Sequence, residues 1–339
     1  MKYGPIGIQI DKERIRIAQL SVVDNNPFSV VEMITIPTPE GSVSNGFVKT
    51  PRVLGDSIDQ AIKTSKFFGR KAIIAIPSEI LQIHLVTVPE SSNLDRSIAS
   101  RLSQMSFEHP EQLTFDYKII NNTAGVLKAI VAVTNKHHIA KLKEMAEEAN
   151  LKLVGTDLEM LSIFRLTKFC YKTANKPIMV ALFTKPRVKL AIFDKTVLTQ
   201  LSTTSVFTTD ALAGKSELPD VCKEFLREYH KTNTLSDTPT LFLSGLPEPN
   251  TSLEKELWEG LSIPVTSIRW CEAFNVSETY PHFREFIKRF GAFSCCIGLS
   301  MADMTLPDKH RTPIIADVRV QDFDSGLLEF ARPTEEKAL

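Results

Sequence analysis

Isoleucine recurs at every second position near the start of the chain. Ile6, Ile8 and Ile10 alternate with Gly7, Gln9 and Asp11; after a charged run, Asp11-Lys12-Glu13-Arg14, apolar character resumes at Ile15, Ile17 and Leu20. A period of two turns one side of a strand toward a core, so the pattern predicts a hairpin with a charged tip. Phe28–Pro37, rich in β-branched residues, predicts a third strand. A helix follows from about Pro51 to Phe68, where Leu54, Ile58, Ala61 and Ile62 recur at helical spacing and Pro51 suits a first helical position. The apolar run Ala72–Ile76, closed by Pro77, predicts a buried strand.

Ile83, Leu85 and Val88 predict a further strand, then a helix capped by Ser91 or Ser92 and carrying Leu94, Ile98 and Leu102. Leu113–Ile120 and Val126–Thr134 face each other across an Asn- and Gly-containing turn. Lys136–Asn150 is an amphipathic helix, with Ile139, Leu142, Met145 and Ala146 on one face. A strand at Lys152–Thr156 and a helix at Asp157–Phe169 complete the first half. The second half restarts the pattern with strands at Pro177–Phe183, Val188–Phe193 and Val197–Ser202. Helices are predicted at Leu218–His230, Leu253–Glu259 and Phe283–Met301, and strands at Thr240–Ser244 and Val265–Ile268. Two strand-strand-strand-helix units point to an internal duplication.

Composition narrows the function classes. Forty Lys and Arg balance forty Asp and Glu, so no net basic charge exists to drive non-specific nucleic-acid binding. Apolar residues make up 43% of the 339, enough for a substantial core, and the length favours two domains. No apolar run reaches the ~20 residues that span a bilayer, and the first residues lack a signal-peptide apolar stretch. The five cysteines, Cys170, Cys222, Cys271, Cys295 and Cys296, show no metal-site spacing. Their odd number argues against a disulfide framework, and they read as buried reduced thiols of a cytoplasmic protein.

Taken in order, these segments resemble the PilM family of type IV pilus assembly proteins, actin-like proteins related to FtsA. They also resemble the actin-like cytoplasmic domain of the GspL family of type II secretion. The resemblance covers about residues 5–300 and rests on order and spacing. Its elements are Ile6-Gly7-Ile8-Gln9-Ile10, Asn45-Gly46-Phe47-Val48 before a helix, the strand ending at Pro77, Phe115-Asp116-Tyr117-Lys118, Val131-Ala132-Val133, and Gly155-Thr156-Asp157-Leu158-Glu159 followed by Arg165. It implies an α/β, actin-like (ribonuclease H-like) duplicated fold in two lobes with mixed sheets. The first lobe would span residues 1–165, with a small α+β subdomain inserted at about 80–150. The second would span 166–305, with the helix Phe283–Met301 packing back on the first, and 306–339 would be a flexible tail.

The chain departs from that family at the nucleotide site. Gln9 stands at the acidic position of the first phosphate loop, Asp11 at its glycine and Lys12-Glu13-Arg14 at its small residues, with Arg16 kept as a basic residue. Leu182, Phe183 and Thr184 stand where the second loop has Asp-x-Gly. Leu243-Ser244-Gly245 runs into Leu246-Pro247 where the adenosine loop has three glycines. Carboxylates that would hold Mg²⁺ are thus missing at Gln9 and Leu182. The nucleotide-position residues are Asp11, Lys12, Arg14, Arg16, Thr184 and Gly245, and Asp11 with Glu13 is expected at the cleft floor, repelling phosphate. Neither catalytic residues nor a cofactor are expected, the alternative being an ATPase that holds ATP and Mg²⁺ in a reduced site.

By resemblance, the protein would be a cytoplasmic scaffold, peripheral to the bacterial inner membrane. It would bind the N-terminal peptide of a bitopic, PilN-like partner in a groove lined by Ile83, Leu85, Ile98 and Arg101, contact a motor ATPase, and reach the membrane only through its partner. Other residues read more simply. His137-His138 lack a ligand three or four residues on and read as exposed helix-start histidines. Asp157 and Glu159 read as first-turn acids facing the helix dipole, and Cys295-Cys296 as packed core.

Overall fold

The computed structural model describes residues 2–22, 28–105, 110–171, 176–184, 187–194, 197–205, 217–232, 238–271, 274–275, 283–302 and 304. The expected tail lies outside them.

A short strand β1 (Lys2–Tyr3) precedes the predicted hairpin, β2 (Ile6–Ile10) and β3 (Arg14–Val22), and then β4 (Phe28–Pro37). All pair antiparallel, with Ile8 opposite Ile17 and Ile17 opposite Ile34. A miniature hairpin, β5 (Val43–Ser44) and β6 (Phe47–Val48), leads to α1 (Pro51–Lys63). This helix stops short of Phe68 because the Thr64 and Ser65 hydroxyls turn back onto the carbonyls of Gln60 and Ala61. β7 (Lys71–Ile76) then runs parallel to β2.

β8 (Gln82–Pro89), α2 (Leu94–Ser103), β9 (Leu113–Thr123) and β10 (Val126–Asn135) build an inserted unit, a sheet ordered β8-β10-β9 with α2 on one face. The cap of α2 is Asn93, which accepts the Arg96 N–H at 3.0 Å, and not Ser91 or Ser92. α3 (Lys136–Glu148) leaves the insert and packs on α1, its Leu142, Met145 and Ala146 joining the core under the first sheet. The insert is therefore shorter than the expected 80–150. β11 (Lys152–Leu158) returns parallel to β7, and α4 (Glu159–Cys170) leads away.

A second sheet opens with β12 (Ile178–Thr184), β13 (Arg187–Asp194) and β14 (Val197–Ser205), followed by α5 (Leu218–Thr232), β15 (Thr240–Ser244), α6 (Thr251–Leu261) and β16 (Val265–Ser267). Its order is β14-β13-β12-β15-β16. The two antiparallel triplets of the internal repeat thus open two separate sheets. β17 (Phe274–Asn275) crosses back to pair with β4, so the first sheet runs β11-β7-β2-β3-β4-β17 among the described residues.

The expected continuous helix Phe283–Met301 is broken. α7 (Phe283–Arg289) gives way to a 3₁₀ turn at Phe290–Phe293 before α8 (Ser294–Met301). Within that turn the Gly291 carbonyl faces lobe two and accepts the Gly245 N–H at 3.0 Å. α8 is buried on every side, packed between β2, β3 and α4. Contact is so close that a Cβ on Gly7 would lie 2.1 Å from the Cys296 carbonyl oxygen, and one on Gly298 1.9 Å from that of Ser162. Only glycine permits this approach. One apolar core runs from the first sheet through α4 and α8 to Ile178, Val180 and Phe242 of the second.

Candidate functional site

The hairpin tip satisfies itself. Asp11 Oδ1 accepts the N–H groups of Glu13 (2.9 Å) and Arg14 (2.7 Å), while Oδ2 pairs with Arg16 Nη1 at 2.7 Å. The Asp11 carbonyl also accepts the Thr38 hydroxyl. Asp11 therefore does not stand free at the cleft floor as expected. Its carboxylate occupies its own turn as an internal anion, taking the backbone donors that such a tip would offer to an external one. Lys12, Glu13 and Arg14 are exposed.

On the second lobe, Thr184 and Gly245 lie at the carboxyl ends of the parallel strands β12 and β15. A Cβ on Gly245 would be 2.5 Å from the Phe183 carbonyl oxygen, and the Thr184 hydroxyl donates to the Arg187 carbonyl.

Between the lobes sits a cluster the sequence reading missed. Lys189 of β13, 3% exposed, sets its ammonium 2.7 Å from Glu159 and 2.7 Å from Glu79. Glu159 also accepts the N–H and hydroxyl of Ser78, each at 2.8 Å. Arg187 adds a looser ion pair to Glu79 and donates to the Asn45 side chain at 2.9 Å. Burial opposes the charge on Lys189, but Glu159 and Glu79 outweigh it and hold the ammonium above its ordinary pKa. Glu159 is the first-turn acid of α4 that the sequence suggests, and it is also the buried acceptor of an interlobe cation. Asp157 is not helical at all: it ends in β11 and pairs with Arg165 at 2.6 Å.

The four groove candidates do not converge. Ile98 is fully buried in the insert's core with Val86 and Val88. Ile83 and Leu85 project from the opposite face of β8, because successive side chains of a strand alternate. Leu85 is 56% exposed, Ile83 is half-buried against the core that joins the lobes, and Arg101 bonds Gln104 on the surface.

A groove does exist elsewhere. It encloses about 510 Å³ between the β5–β6 hairpin and the start of α3, lined by Phe47, Val48, Ile80 and Leu142 with Lys49 and Lys141, and no carboxylate lines it. Phe47 stacks edge-on against His138 with centroids 4.1 Å apart. His138 meets the Thr134 hydroxyl, which donates to the Ile80 carbonyl at 2.6 Å and so ties α3 to the groove floor. Burial, then His137, pushes the His138 pKa down. Asn45-Gly46-Phe47-Val48 and the His137-His138 pair were both visible in sequence; only the fold brings them together.

The model of the type IV pilus assembly protein PilM matches residues 7–199, more than half of the chain. The chain belongs to this family. Among solved structures, the PilM-PilN type IV pilus biogenesis complex is 16% identical with a TM-score of 0.71, covering 88% of this chain and 98% of that one. The cytoplasmic domain of EpsL, an inner-membrane component of the type II secretion system of Vibrio cholerae, is 8% identical with a TM-score of 0.48, covering 90% and 99%. A Bacteroides thetaiotaomicron protein of unknown function with an actin-like ATPase fold is 14% identical with a TM-score of 0.43, covering 78% and 90%. No curated protein sequence matches. The fold is accordingly that of PilM. Among the described residues no helix is long and apolar enough to cross a membrane.

Proposed function

We propose that this PilM-family chain is a non-catalytic cytoplasmic scaffold of a type IV pilus or type II secretion assembly machine. It binds the N-terminal cytoplasmic peptide of a bitopic, PilN-like inner-membrane partner and reaches the membrane through that partner. The groove between the β5–β6 hairpin and α3 carries this reading. Apolar walls at Phe47, Val48, Ile80 and Leu142 can offset the entropy an extended peptide loses on ordering, and the rim carries Lys49 beside a Lys141 that is paired with Glu144. Two further observations support a non-catalytic role: Asp11 fills the anion-binding tip, and the Glu79–Lys189–Glu159 cluster joins the lobes with the protein's own charges.

The test is fluorescence anisotropy of a labelled peptide copying the partner's cytoplasmic N-terminus. The wild-type chain is expected to bind it, and Phe47→Glu, which places a carboxylate on the exposed part of the apolar wall, to weaken binding at least about tenfold, equivalent to about 1.4 kcal/mol. Equal binding by both proteins would move the peptide elsewhere. Fractionation adds a cellular arm: membrane association is expected to vanish when the partner gene is deleted.

A further inference from the structure

Two cysteines that sequence spacing leaves unpaired meet in the fold. Cys170 ends α4 and Cys271 lies just beyond β16, 101 residues apart in the chain, yet their Sγ atoms are 2.8 Å from each other. Both are partly exposed, whereas Cys222, Cys295 and Cys296 are buried. The segments that carry them connect the two lobes: α4 leads from β11 toward β12, and the stretch after β16 leads back to β17 on the first sheet.

Neighbouring bonds hold these connections in register. The Arg269 N–H donates to the Tyr171 hydroxyl at 2.9 Å, and that hydroxyl reaches the Ser267 carbonyl at 3.5 Å. Glu254 takes the Arg269 guanidinium through two bonds, at 2.8 and 2.9 Å, and accepts the Ser267 N–H at 3.0 Å. The sulfurs are therefore adjacent before any reaction begins.

We propose that Cys170 and Cys271 form a reversible disulfide, made by a peroxide oxidant, that straps the two interlobe connections together. Hydrogen peroxide oxidises one thiol to a sulfenic acid and releases a water. The second thiol attacks that sulfur, the S–S bond forms, and the hydroxyl leaves as a second water. The two electrons lost by the sulfurs reduce the peroxide, and a thiol reductant reverses the change. In a reducing compartment such a pair cycles rather than persists. As a dithiol the connections are joined by non-covalent contacts, hydrogen bonds and the packing of Tyr171 on Phe242 among them; as a disulfide they become one covalent strap at the hinge between the lobes.

The experiment treats the full-length chain with hydrogen peroxide, alkylates the remaining thiols and maps peptides by mass spectrometry. Expected is the loss of two of the five titratable thiols, with a linked peptide pair containing Cys170 and Cys271 in a monomeric chain, restored by dithiothreitol. Cys170→Ser and Cys271→Ser should each abolish the link and leave the other thiols as before. Hydrogen exchange of the linked chain should be slower than that of the dithiol around residues 268–271 and β17. Separate alkylation of both cysteines after an oxidant dose that fully oxidises a small dithiol, or linkage only between chains, would overturn the proposal. Unchanged exchange in the linked chain would overturn its hinge role.

Discussion

Lys189 is the residue on which the lobes most visibly meet. Its charge sits in an apolar strand, Val188 to Phe193, between two carboxylates from the other lobe. Removing one partner of a buried pair leaves an uncompensated charge, so Lys189→Met should cost about 3–5 kcal/mol in denaturant unfolding. Adding Glu159→Gln should recover part of that loss, and a double-mutant cycle measures the coupling. Because the folded state raises the Lys189 pKa, its contribution is full below the unfolded value near 10.5 and is lost as pH rises through the folded one. His138 works in the opposite sense. Burial lowers its pKa below 6.5, so stability is intact above that value and declines as pH falls through the folded pKa. His138→Gln should flatten that acid-side decline in a melting series. At the hairpin, Asp11→Gly with Glu13→Ser frees the tip's N–H groups. Calorimetry should then detect Mg-ATP binding stronger than that of the wild-type chain.

At the scale of elements, the strand and helix periods carried most of the information. Alternation at Ile6–Ile10 and Ile15–Leu20 placed the hairpin, and helical spacing placed α1 and α3, because both depend on local burial. The break between α7 and α8 escaped that reasoning, since it serves a distant partner, the Gly245 N–H. The same holds for Asp157, which spacing put on a helix and the Arg165 pair keeps at a strand end. The groove candidates lie on different faces for a reason already present in the sequence. Ile83 and Leu85 share a parity that Val86 and Val88 do not, so Ile98, packed on the latter, could never face the same groove. α8 supplies a prediction of its own. Gly298→Ala would drive a methyl against the Ser162 carbonyl, which overpacking makes worth about 1–3 kcal/mol or more of lost stability. Chemical denaturation measures it, and Ser300→Ala offers a milder comparison on the same helix, losing the bond from the Leu20 N–H.

For the whole molecule, the duplicated architecture was legible because each half repeats one sequence pattern, and the family because its segments keep their order. The contacts between lobes were not legible. Glu79, Glu159 and Lys189 lie on three elements, and Cys170 and Cys271 are separated by 101 residues, so only the closed fold unites them. A lysine inside an apolar strand was the one available hint, since such a charge requires a buried partner. The central claim is that this PilM-family chain binds a peptide and works without nucleotide. Thermal unfolding of the full chain with the partner's N-terminal peptide, and separately with Mg-ATP, tests it most directly. A ligand at 100 times its Kd adds about 2.7 kcal/mol to the folded state. The account predicts a raised Tm with the peptide and none with Mg-ATP. A rise with Mg-ATP and no response to the peptide would contradict it.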